Sequence, residues 1–143
     1  MEGSGRPGTY HAARGGAPRA GPGGAPGPRY LRAAVAAPAP PLSLLVAAPL
    51  SAPGVLDLLT EAERDARAGS AVRVLFTDGG LEALSGPWPE RLAAAGVRTT
   101  LCARSARGRR LDPLAVPATV LWSSLTTFLG EAPAGARLWA AFP

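Results

Sequence analysis

From Leu42 onward the chain alternates short apolar runs with longer segments whose apolar residues recur at helical spacing. "LSLLVAAP" (Leu42 to Pro49) is almost continuously apolar, the pattern of a strand buried on both faces. After Ser51, Pro53 and Gly54, the segment "VLDLLTEAERDARAG" sets Val55, Leu58, Leu59, Ala62 and Ala66 on one face of a predicted helix. Glu63 and Arg67 make an i,i+4 pair on that helix, and Gly69 is its stop. "AVRVLFT" (Ala71 to Thr77) predicts a second strand, ending in the turn Asp78-Gly79-Gly80. A short helical piece, "LEAL", leads to Ser85-Gly86-Pro87, and "WPERLAAAG" predicts a helix stopped by Gly96.

"VRTTLC" (Val97 to Cys102) predicts the third strand. The arginine-rich segment behind it predicts a helix of about two turns, ended before Pro113. "ATVLW" (Ala118 to Trp122) predicts a fourth strand, and Ser123 or Ser124 a cap for a helix carrying Leu125, Phe128, Leu129 and Ala132. "ARLWAAF", with Leu138, Ala140 and Phe142 in alternation, predicts the last strand.

Strands and helices in this alternation predict an α/β class: one three-layer domain over residues 42–143, with a mostly parallel, flavodoxin-like sheet of about five strands. In such sheets ligands gather at the carboxyl ends of the strands. Asp78-Gly79-Gly80 and Cys102 are both expected there.

Composition separates the first 41 residues from the rest. They hold 10 Ala, 9 Gly and 8 Pro, too little apolar surface to offset the entropy of ordering, so a disordered tail is expected over 1–41. The net charge of +5 also sits mostly there. Arg6, Arg14, Arg19, Arg29 and Arg32 against Glu2 leave the tail at +4 and the remainder at +1. The chain has no lysine, and its excess of Ala, Gly, Pro and Arg resembles the coding bias of a GC-rich genome. Without interleaved aromatics or a helical basic stripe, these arginines predict no specific nucleic-acid partner; a tail that anchors the protein to nucleic acid or a membrane surface is the lesser alternative.

The run "RYLRAAVAAPAPPLSLLVAAPLSA" is broken by Pro38, Pro40 and Pro41, so it reads neither as an export signal nor as a membrane span. A cytoplasmic location is expected. One cysteine allows no intrachain disulfide. The only histidine, His11, lies in the tail, which argues against Cys–His dyads, Ser–His–Asp triads and His/Cys metal sites. GxGxxG and GxxxxGK[ST] loops are absent, and neither a cofactor nor a metal is expected. Glu61 and Glu63, two apart on a helix, point in different directions and form a solvated face.

Cys102 is the remaining candidate. At a strand end before a helix N-terminus, its thiol would be acidified by free amides and by Arg104, Arg107, Arg109 and Arg110. A pre-formed thiolate needs no general base. The competing reading is a buried, inert cysteine.

The order of "VAAPLSAPGVLDLL", "VRVLFTDGGLEAL", a cysteine ending the third strand with Ala106 and Arg109 behind it, and the ending "SSLTTFLGEAPAGARLWAAF" resembles the DsrE/TusD-like sulfur-relay family over about a hundred residues. One departure is Arg109-Arg110-Leu111, where that family usually has Arg-Gly and an aliphatic residue. The resemblance implies a DsrE-like α/β fold, a homo- or hetero-oligomer, and a cysteine that passes sulfur between donor and acceptor proteins as a persulfide. On that reading Cys102 is the nucleophile, Arg104 and Arg107 stabilise the thiolate or an anionic donor, and Asp78, Gly79 and Gly80 shape the pocket mouth. A non-catalytic oligomerisation subunit with the same fold and a buried Cys102 is the alternative.

Overall fold

A computed structural model describes Ala37 and residues 39–143. The disordered tail expected over 1–41 therefore lies mostly outside the described residues. Five strands run β1 (Leu42–Val46), β2 (Val72–Phe76), β3 (Arg98–Cys102), β4 (Leu121–Ser123) and β5 (Arg137–Ala141). The helices between them are α1 (Val55–Arg67), α2 (Trp88–Ala94), α3 (Ala103–Gly108) and α4 (Leu125–Gly130), with a 3₁₀ segment over Asp78–Ser85.

The sheet is parallel throughout, in the order β4-β3-β2-β1-β5. Three crossovers step the same way from β1 to β4, so right-handed connections put α1, α2 and α3 on one face. The fourth crossover returns past β1 and puts α4 on the other. The two faces are unequal. Leu42, Leu44, Val46, Val74, Phe76 and Leu101 pack under Val55 and Leu59 of α1, Leu92 of α2 and Ala106 of α3. Opposite them, a small cluster of Leu45, Leu75 and Cys102 is closed by Phe128, the only buried residue of α4.

β1 and β2 are buried at every position, as a central parallel strand requires. One consequence is Arg73, only 7% exposed, whose guanidinium stacks 4.0 Å from the Phe128 ring centroid. Its Nε and Nη2 have no partner among the described residues, and burial pushes its pKa down.

One expectation fails at an edge of the sheet, and the last strand forms where expected. The fourth strand runs Leu121–Ser123 rather than Ala118 to Trp122, because Val120 N–H donates to Pro117 O (2.9 Å) and turns the first three of those residues away from β3. In β5, Leu138 and Phe142 are 57% and 66% exposed; Trp139 and Ala141 pack on the main core instead. The alternation puts Leu138 and Ala140 on the thinly covered α4 face, beside Ser43 and Leu45.

The helix ends share one device. After α1, Ser70 N–H donates to Asp65 O and Gly69 N–H to Ala66 O; after α2, Val97 and Gly96 do the same to Leu92 and Ala93. After α3, Leu111 N–H donates to Ala106 O and Arg110 N–H to Arg107 O. This is the Schellman arrangement, which needs a left-handed residue after the helix. Gly69 and Gly96 supply it at φ 94° and 86°, whereas Arg110 is forced to φ 53°. Arg110→Gly is therefore expected to raise stability by about 0.5 to 1 kcal/mol, read as a higher urea midpoint. An unchanged or lower midpoint would show that Arg110 carries no strain.

Candidate functional site

Register builds the site. Phe76 lies opposite Leu101 in the β2–β3 ladder, so the next residues, Thr77 and Cys102, leave the sheet side by side at its carboxyl edge. Cys102 ends β3 and occupies the position before α3 with φ −77° and ψ 111°. This extended conformation turns the chain from strand to helix in one residue. Ser105 lies three residues further on, and its hydroxyl returns to the strand ends. It contacts Thr77 Oγ1 at 2.7 Å and donates to Asp78 Oδ1 at 3.0 Å.

These groups border an open cavity of about 700 Å³. Thr77, Asp78, Cys102, Arg104 and Ser105 line one side, Gly108 and Arg109 another, and Ser124, Leu125 and Thr126 at the start of α4 the third. Cys102 lines this cavity but is only 6% exposed, packed also against Leu45, Leu75 and Phe128. A more apolar cavity of about 270 Å³ is lined by Leu81, Leu84, Leu111 and Val116, with Glu82, Ser85 and Arg109 as its polar groups.

Burial pushes the Cys102 thiol up. It is outweighed by the N–H and hydroxyl of Ser105, the hydroxyl of Thr77 and the N–H of Arg104, and the net effect is a thiol below its ordinary value. The sulfur makes no capping hydrogen bond of regular geometry to the α3 amides. The acidifying groups are thus neutral dipoles near the thiol rather than charges. The arginine charges, expected from sequence to lower the thiol, are not among the causes.

The expected residues separate accordingly. Cys102, Asp78 and Arg104 come together at the cavity, while Arg107 is exposed outside it and Arg109 lines it instead. Gly79 and Gly80 do not line it either. They let the 3₁₀ segment press against the end of β1, where a Cβ on Gly80 would lie 2.1 Å from Val46 O. Asp78 itself holds φ 46°, a left-handed conformation that Asp adopts more readily than most side chains. Thr77 and Ser105 were missed. Their signals were modest: a hydroxyl residue level with the cysteine on the neighbouring strand, and another three positions after it. Among the described residues no group of His, Cys, Asp and Glu could hold a metal ion, and no helix is long and apolar enough to cross a membrane.

No family model matches the chain, and no curated protein does either. Solved structures do. The ychN protein from E. coli superposes with a TM-score of 0.57 at 18% identity, covering 71% of this chain and 99% of its own. A protein of unknown function from Methanobacterium thermoautotrophicum gives a TM-score of 0.57 at 15% identity, with the same coverages of 71% and 99%. At these identities the likeness establishes architecture: the chain has the DsrE-like, flavodoxin-like α/β fold.

Proposed function

We propose that the chain is a cytoplasmic sulfur-relay protein that carries sulfane sulfur as a persulfide on Cys102. The supporting observation is that Cys102 lines an open cavity together with Thr77, Arg104 and Ser105, whose N–H and hydroxyl groups favour its thiolate. In the step this chemistry allows, the Cys102 thiolate attacks the outer sulfur of a donor persulfide. The new S–S bond to Cys102 forms as the donor's S–S bond breaks, and the donor leaves as a thiolate. Sulfur moves with no net oxidation, so no cofactor is needed. Arg104 and Arg109 face the cavity and would balance the charge of an anionic donor; Arg107, exposed outside it, is less well placed. The donor and acceptor are other proteins or a second copy of this chain, with no specific nucleic-acid or membrane partner.

The test is intact mass after incubation with a persulfide donor. One sulfur atom should be gained by wild type and none by Cys102→Ser. An equal adduct on both, or none on either, would reject the reading. Alkylation of Cys102 by iodoacetamide should accelerate as pH rises, since deprotonation creates the nucleophile. Its midpoint should fall below the value of about 8.5 of a free thiol.

A second reading is a non-catalytic oligomerisation subunit. It is favoured by the side of the sheet that carries α4, where Leu121, Leu125, Leu129 and Leu138 stay exposed. Under that reading wild type gains no sulfur but sediments as an oligomer.

A further inference from the structure

Asp78, Ser105 and Thr77 share fewer protons than they have acceptors. The two hydroxyls carry one proton each. Around them stand Asp78 Oδ1 at 3.0 Å from Ser105 Oγ, Asp78 Oδ2 at 3.3 Å from Thr77 Oγ1 and each other's oxygen at 2.7 Å, and Cys102 lines the same cavity beside Thr77. The short contacts fix one favoured arrangement. Thr77 donates to Ser105 Oγ and Ser105 donates to the carboxylate, a chain in which each bond strengthens the next. In that arrangement no hydroxyl proton points at the sulfur, and a neutral Cys102 can donate its own proton into the chain. For the thiolate to be served, a hydroxyl must turn from the carboxylate to Sγ.

We propose that Asp78 is a positioning residue for Cys102: its carboxylate holds the Ser105 and Thr77 protons away from Sγ and restrains ionisation of the thiol. The proposal rests on the sulfur-relay reading only for its purpose. A relay cysteine must attack a donor sulfur and later leave from an acceptor's. Nucleophilicity falls as a thiol becomes more acidic, so the best attacking thiol is one whose pKa lies near the ambient pH. The donors favour the thiolate, and Asp78 opposes them. The charged groups facing the sulfur are Asp78 from the 3₁₀ segment, Arg104 from α3 and Arg109 just beyond it; α4 contributes only Ser124, Leu125 and Thr126. Asp78 is the sole negative charge among them. Its φ of 46° shows the backbone bent to place it there.

The experiment needs no sulfur donor: the pH dependence of Cys102 alkylation by iodoacetamide, a neutral probe. Asp78→Asn keeps a side chain that tolerates the left-handed backbone, and Asp78→Gly removes the side chain altogether. Both should lower the midpoint by about half a pH unit or more. Ser105→Ala should raise it. In a Ser105→Ala, Thr77→Val background, Asp78→Asn should lose at least half of its effect, because the hydroxyls through which it acts are gone. An unchanged or raised midpoint in both Asp78 variants, with a native urea transition, overturns the proposal. So does an Asp78 effect that is as large without the two hydroxyls. The sulfur-adduct measurement stands apart from these midpoints: its failure removes the relay function while leaving the control of the thiol by Asp78 intact.

Discussion

Gly80→Ala is expected to remove much of the domain's stability, about 3 kcal/mol, measured as the loss in urea midpoint. The reason is space rather than backbone freedom. An added Cβ would lie 2.1 Å from Val46 O, 2.8 Å from its carbonyl carbon and 3.0 Å from Cγ1. Two of these atoms are backbone at the end of a central strand, paired on both sides and unable to move alone. The 3₁₀ segment has to lift instead, breaking the Gly80 N–H to Thr77 O bond of 2.8 Å. Thr77 and Asp78 lie at the start of that segment, so the effect reaches the thiol. Alkylation of Cys102 should lose its wild-type pH midpoint in the folded fraction. A variant with a wild-type urea transition would show that the β1 end yields freely.

Phe128→Ala is the second large effect, at about 3 kcal/mol or more. Phe128 is the only buried residue of a six-residue helix, and a helix this short has no stability of its own. Removing the ring leaves a void over Leu45, Leu75 and Cys102, and uncovers a buried guanidinium that has no acceptor to replace the ring. Ser124 still caps α4 by accepting from Thr127 N–H at 3.0 Å, but a cap cannot hold a helix to a sheet. Two readouts should move together: the urea midpoint falls, and a bulky maleimide modifies Cys102 faster. A stability loss without faster modification would show that α4 does not limit access to the sulfur.

Elements buried on a regular period were legible in the sequence. α1 announced itself through Val55, Leu59 and Ala62, and its end through Gly69; β2 and β3 fall within a residue of their expected bounds. The Ser124 cap was readable because capping is local chemistry. The edges were not. β4 has one neighbour, so its extent depends on a turn at Pro117 that apolar content does not reveal. For β5 the period was visible, but which face meets the core is a property of the assembled sheet. The site divides in the same way. Cys102 stood out by its place at a strand end. Thr77 and Ser105 gain meaning only when two strands are laid in register, and the arginines drew notice for their charge while neutral dipoles acidify the sulfur.

The strand order also bears on synthesis. β1, the first strand among the described residues, is paired on one side with β2 and on the other with β5, nearly a hundred residues later. Until Arg137–Ala141 emerge from the ribosome, Ser43 and Leu45 present an open, apolar strand edge to every neighbouring nascent chain. Pairing β1 with an edge strand so distant in the chain gives a high contact order, and such a sheet forms slowly for that reason. The final five-residue strand thus ends the period in which the chain is most exposed to aggregation and to chaperones.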